Sequence, residues 1–345
     1  MKKIRFLLFV ALLAGASAAG ADGGGAPGKE DLAGACVAVL RARPDDAAAR
    51  EGLRRLFTED YPARLPADAP AYLPVPHVEC RDAVAAGMPA QRAFYTTGLA
   101  FPDAGHRRDP ARKATFTRVL HAYAQNREGG EWRLAFRALY NHNDAGAEAL
   151  APVAARALLR VRAAHRALVG ETGPALSRPA DLWICADGDG GAEQSGANLY
   201  LLGTARPREP LELLRQIAHE FGHLALPALG PLQAPEKWGN GFLGEVLYLR
   251  RLARAPAAPD SPVPPEALAA YVRHEVEPLA RAFAAAGSGA FAGQEEGAGG
   301  LRLLLGMVLY LEDTKGADAV AQLIRSVRGS TLRDWIEAAR LLPGE

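Results

Sequence analysis

The feature that most constrains this chain is the pentapeptide His219-Glu220-Phe221-Gly222-His223, set in a stretch that reads as one helix from Pro210 to Leu226. Helix positions i and i+4 share one face a turn apart, so the two imidazoles point the same way. Glu220 follows His219 by about 100° around the helix axis. Its neighbours Ile217, Ala218, Phe221, Gly222, Leu224 and Ala225 are all uncharged, which makes this a core helix. Burying two imidazoles and a carboxylate costs free energy unless they find partners. Any fold open to this chain therefore builds its core around a polar cluster. Two imidazoles at this spacing can converge on one ion at the ~2.0–2.1 Å of zinc–nitrogen bonds. A glutamate beside the first can reach water on the ion without ligating it, the position of a general base. The pattern predicts zinc, with His219 and His223 as ligands and Glu220 as the base.

A catalytic zinc takes a third protein ligand and keeps one position open. Downstream runs Trp238-Gly239-Asn240-Gly241-Phe242-Leu243-Gly244-Glu245-Val246-Leu247, and Glu245 follows His223 by 22 positions. Here the sequence resembles the gluzincin metallopeptidases, the thermolysin and aminopeptidase N group. Their third ligand is a glutamate on a second helix some twenty residues beyond the second histidine, and the resemblance implies that role for Glu245. A second alignment, of Trp238-x-Asn240-Gly241 with the W-x-x-E-G pattern of related families, puts Asn240 there instead; a carboxylate suits zinc better than a carboxamide. The metzincin pattern fails because Leu226, Pro227 and Leu229 supply no histidine.

The resemblance covers roughly residues 111–345 and implies a long helix, a strand and an exposed edge strand ahead of the zinc helix. Residues 144–169, 181–186 and 197–202 read as those elements. The edge strand, carrying Asn198, Leu199 and Tyr200, would bind extended peptide by strand addition. Gly191-Ala192-Glu193-Gln194 is faintly similar to the G-A-M-E-N motif with which one aminopeptidase branch grips a free N-terminus, lacking its methionine and asparagine. Gluzincins also supply a late Tyr or His to the oxyanion. Residues 294–302 contain neither, which leaves Tyr271, His274 and Tyr310 as candidates by residue type.

The rest of the chain sets the frame. Trp132, Leu134, Phe136, Ala138 and Tyr140 alternate with period two and, with residues 115–124, predict a β-hairpin. After Pro207 the chain reads as helices broken by Pro- and Gly-rich loops. Strands and helices first, then helices alone, is an α+β layout: a small N-terminal sheet with an edge strand and a long helix, then a mainly helical lobe carrying the zinc helix. Three segments are expected: residues 1–21, residues 22–110 as a mainly helical region with a Pro-rich loop, and the metallopeptidase-like domain 111–345. Residues 30–41 and 45–57 read as the helices of the second segment.

Residues 1–21 read as a secretory signal peptide, with Lys2, Lys3 and Arg5 ahead of an apolar stretch from Phe6 to Leu13 and small residues after it. No other apolar run reaches spanning length, so the expected mature chain is exported, to periplasm or outside, without a membrane span. An oxidising destination permits disulfides. Cys36 and Cys80, both in the N-terminal third, are the expected pair, and Cys185 in Trp183-Ile184-Cys185 the expected buried thiol. Lys+Arg 40 against Asp+Glu 39 gives a net charge of +1 with no basic stripe, which excludes an electrostatic footprint for nucleic acid.

The expected function is an exported zinc-dependent peptidase acting on a peptide or protein. Two other readings stand beside it: a peptidase-like binding module that has lost activity, and a zinc hydrolase of a non-peptide substrate. Oligomeric state and cleavage specificity are not legible.

Overall fold

The computed structural model describes residues 80–82, 91–98, 118–125, 132–140, 144–170, 179–185, 188, 190–204, 207–233, 235–255, 261–292 and 298–342, besides the isolated Ala48. The expected signal peptide, the helices at 30–41 and 45–57, and Cys36 lie outside them. Cys80 opens the first strand; its expected pairing with Cys36 therefore also falls outside. Cys185 is a buried free thiol.

The fold is α+β. Strands β1 (Cys80–Asp82), β2 (Gln91–Gly98), β3 (Arg118–Gln125) and β4 (Trp132–Tyr140) form an antiparallel series. Strand β5 (Ala180–Ile184) adds parallel to β4, and β7 (Asn198–Leu201) adds parallel to β5. The sheet closes with β6 (Ala192–Ser195), antiparallel to β7, in the order β1-β2-β3-β4-β5-β7-β6. Strands β1 and β2, from the segment expected to be helical, therefore belong to the same sheet as β3.

One sequence expectation is overturned here. Asn198, Leu199 and Tyr200 do not form an edge: they pair with Asp181, Leu182 and Trp183 on one side and with Ser195, Gln194 and Glu193 on the other. Among the described residues the edge on this side is β6. Its four residues, Ala-Glu-Gln-Ser, show no apolar alternation and follow a glycine-rich turn, so they read as loop. Sheet edges are commonly short strands that carry charge, as this one does in Glu193.

Helix α1 (Ala145–Val169) connects β4 to β5. Asp144 caps its start, accepting from the backbone N–H groups of Gly146 and Ala147, and its other oxygen accepts from the Thr204 hydroxyl at 2.8 Å. The helix is buried on both faces, against β3, β4 and β5 on one side and against α2 (Pro210–Ala225) and α3 (Asn240–Arg254) on the other. The helical lobe continues with α4 (Pro265–Tyr271), a π-wound turn (Val272–Val276), α5 (Glu277–Ala286), α6 (Ala298–Lys315), α7 (Ala317–Ser326) and α8 (Leu332–Arg340). A single apolar core runs from Leu120 to Leu342. No helix among the described residues is long and apolar enough to cross a membrane.

Candidate metal centre

Helices α2 and α3 cross at backbone contact, and glycines make that possible. A Cβ on Gly222 would lie 2.6 Å from the carbonyl oxygen of Asn240, and one on Gly244 would lie 2.5 Å from the Cα of Gly222. Gly241 has a sharper constraint: its Cβ would lie 2.5 Å from Nε2 of both His219 and His223. Helix α3 thus passes directly beneath the imidazoles with bare backbone, and no side chain of that turn fits between them.

The two Nε2 atoms are 3.2 Å apart. Facing both is Glu236, from the segment joining α2 to α3: its Oε1 lies 3.1 Å from Nε2 of His219 and 3.4 Å from Nε2 of His223. That oxygen is buried and makes no hydrogen bond of its own, while the other oxygen of the same carboxylate lies 3.3 Å from Nε2 of His219. Ligands around a tetrahedral ion with ~2.0–2.1 Å bonds lie about 3.3 Å from one another, so the three observed edges fit one face of such a tetrahedron. Two imidazoles and one carboxylate are a donor set that zinc accepts. His219, His223 and Glu236 also form the one cluster of potential ligand atoms found among the described residues.

Each imidazole is held from behind. Asn240 Oδ1 lies 3.0 Å from Nδ1 of His223, while its amide nitrogen reaches the carbonyls of Gly222, His223 and Leu226 at 3.4 Å. Those contacts make the oxygen the atom that faces the ring, so Nδ1 of His223 donates and Nε2 keeps its lone pair. Glu245 does the corresponding work for His219, with Oε2 at 3.5 Å from Nδ1. Its Oε1 accepts from the Tyr271 hydroxyl at 2.7 Å and from Nε of Arg215 at 2.8 Å. Phe242 packs edge-on against the His219 ring, centroids 4.7 Å apart.

The charges follow from this arrangement. Burial opposes a positive His219, but hydrogen bonds to Glu236 and Glu245 outweigh it and raise its pKa to about 9. Burial opposes a negative Glu236, yet its bonds to His219 and His223 hold it down at about 2. Glu245 is likewise lowered: burial works against its charge, and His219, Tyr271 and Arg215 override burial. Glu220 goes the other way. It is 8% exposed, and burial raises its pKa despite the nearby imidazoles, with Glu236 and Glu193 of the edge strand adding to the rise. A metal ion competes with the proton that His219 otherwise holds.

The structure therefore brings His219, His223, Glu220 and Glu245 together, but Glu245 lies on the Nδ1 side of His219, away from the facing Nε2 atoms. The 22-residue spacing selects helix α3 without selecting the turn; the turn beneath the Nε2 atoms is Gly241, and Glu245 is one turn further on. Sequence reasoning passed over Glu236, whose only signal is a carboxylate in the Pro-flanked connection before α3. Of the oxyanion candidates, Tyr271 donates to Glu245, His274 is exposed on the π-wound turn, and Tyr310 is 40% exposed on α6 and lies against Phe283. No protein-family model, curated protein or solved structure matches this chain.

Proposed function

We propose that this chain is an exported zinc-dependent peptidase in which His219, His223 and Glu236 hold the ion and Glu220 is the general base. The observation that carries the reading is the triangle of Nε2, Nε2 and Oε1 with edges of 3.1–3.4 Å, one corner of which is a buried oxygen without a hydrogen bond. Glu245 is assigned to orienting His219 rather than to ligation.

A zinc ion held there supplies Lewis acidity toward a carbonyl and toward water. The chain's own residues supply the rest. Glu220, one position along the helix from His219 and with its proton affinity raised by burial, is placed to take a proton from water at the site and return it to a leaving amine. Asn240 and Glu245 hold the two rings with both Nε2 atoms directed at the centre, where an ion would displace the proton of His219. Strand β6 lies against α2, and its outer side is open among the described residues. An extended peptide adding to that edge would run past Glu220. Glu193 on β6 lies close enough to Glu220 to influence its charge, which favours a substrate bearing positive charge there.

The test is zinc stoichiometry on the purified chain together with a digest of a broad peptide library. Glu220→Gln should keep its zinc and lose about 10²–10⁴-fold in hydrolysis, the usual cost of a missing general base. A wild-type chain that binds zinc and cleaves no peptide would replace this reading with the binding module or the non-peptide hydrolase.

A further inference from the structure

We infer that Tyr271, acting with Arg215, is a positioning residue of the metal centre: it fixes the rotation of Glu245 and through it the orientation of His219. The inference rests on the metal-centre reading above and adds a residue that lies two side chains away from the ion's place.

The Glu245 carboxylate is held asymmetrically. Oε1 takes two donors, the Tyr271 hydroxyl at 2.7 Å and Nε of Arg215 at 2.8 Å, while Oε2 faces Nδ1 of His219. The donors also fix one another. The guanidinium lies over the Tyr271 ring, 4.9 Å from its centroid, and a second Arg215 nitrogen is tied to Glu212 at 2.9 Å. A carboxylate with one oxygen pinned this way cannot exchange its two oxygens freely. Oε2 stays on the Nδ1 side of the imidazole, where it can accept that proton, and Nε2 is the nitrogen directed at the centre, free to bind an ion once its own proton is displaced.

The backbone around Tyr271 is an independent pointer. Tyr271 ends α4, and the next five residues, Val272–Val276, are wound as a π turn before α5 resumes. Such turns are rare and concentrate at functional sites. The wider turn lets Val272 and Val276 stay buried on either side of three exposed residues while Tyr271 faces α3. A residue that served packing alone would not need its hydroxyl on a buried carboxylate; a phenylalanine would fill the same space.

Tyr271→Phe tests this on the full chain. Its zinc dissociation constant, measured by competition with a chromogenic chelator, should rise about 10–100-fold, the range seen when a supporting partner of a metal-bound histidine is lost. The visible absorption of the cobalt-substituted protein should shift as well. Arg215→Lys, which keeps the charge and loses the Nε donor, should weaken zinc in the same direction and serves if Tyr271→Phe does not fold. Wild-type zinc affinity and an unchanged cobalt spectrum in Tyr271→Phe, with only the melting temperature of the metal-free chain lowered, would overturn the role of Tyr271 and leave the metal centre standing. A wild-type chain that takes up no zinc would instead remove the metal centre, and this inference with it.

Discussion

The two halves of helix α3 carry two buried polar clusters of opposite character. The C-terminal half carries Arg250, 0% exposed, whose five N–H groups are all engaged: Nε with Glu277, one terminal nitrogen with the Leu309 carbonyl and Glu312, the other with Glu277 and Asp313 at 2.5 Å. Arg251 and Arg254 complete the network on Glu312, Asp313 and Glu277. Every N–H of Arg250 has an acceptor, so this side chain ties α3 to α5 and α6. The N-terminal half faces the imidazoles, where two ring nitrogens and a carboxylate gather around one point. Two ring nitrogens and a buried carboxylate oxygen point at one another, and the oxygen is in no hydrogen bond. Burial and charge are common to both clusters. What separates the two is that Arg250 meets an acceptor at every N–H, whereas the other cluster gathers three potential ligand atoms around one point.

The largest expected effect tests the Arg250 cluster. Arg250→Met takes one cation from the buried Glu312 and leaves the Leu309 carbonyl without its donor, and should cost about 3 kcal/mol, the low end for breaking a buried ion pair because Arg251 still holds Glu312. Urea denaturation reads the loss, while zinc bound per folded chain should stay at the wild-type level. Zinc loss in folded protein would mean that the two halves of α3 are not separable.

His165 on α1 lies behind both clusters, buried against Phe221 and Tyr248, with Nδ1 2.9 Å from the Tyr248 hydroxyl. Burial, and then the charge of Arg162, lowers its pKa from 6.5 to about 4. The unfolded chain therefore binds a proton between those values that the folded chain refuses. Its contribution to stability is present above pH 6.5 and is lost as pH falls to 4, by about 3 kcal/mol. The difference between urea midpoints at pH 7 and pH 4 should shrink in His165→Gln; an equal difference in both proteins would count against it.

Smaller effects sharpen the contrast. Asn240→Ala frees the His223 ring and should weaken zinc about 10–100-fold with little change in the metal-free chain. Isothermal titration distinguishes this from wild-type affinity, which would reduce Asn240 to a helix-start residue. Thr331→Ala removes the capping box at α8, where the hydroxyl accepts from Asp334 N–H and the Asp334 carboxylate accepts from Thr331 N–H at 2.8 Å. It should cost about 1 kcal/mol and leave zinc untouched.

What was legible in the sequence was local. The helix carrying His219 and His223, the β3–β4 hairpin and the span of α1 follow from apolar period and, for α1, from Asp144 at its start and Gly170 at its end, all within a few turns of chain. What was not legible depended on distance and on face. Glu236 lies in a connection with no periodicity, and only the crossing of α2 and α3 turns it toward the imidazoles. The spacing to Glu245 points to helix α3, but the backbone contact at Gly222, Gly241 and Gly244 puts Gly241 beneath the Nε2 atoms and Glu245 on the Nδ1 side of His219. Strand β6 carried no apolar signal because a short polar edge has none to give. The hydroxyl of Tyr271 was assigned by residue type to an oxyanion; its placement on Glu245 accompanies a π-wound turn that no periodicity in residues 265–286 announces.

Glu236 and Glu245 are the two carboxylates that could complete a ligand set with His219 and His223, and one pair of variants separates them. Glu236→Gln and Glu245→Gln change one oxygen each, with little change in volume, and zinc content can be measured on both proteins after equilibration with excess zinc and gel filtration. The structure-based assignment predicts that Glu236→Gln emerges nearly empty, while Glu245→Gln retains close to one ion per chain with affinity reduced about 10–100-fold. Full zinc in Glu236→Gln together with none in Glu245→Gln would contradict it and return the third ligand to helix α3.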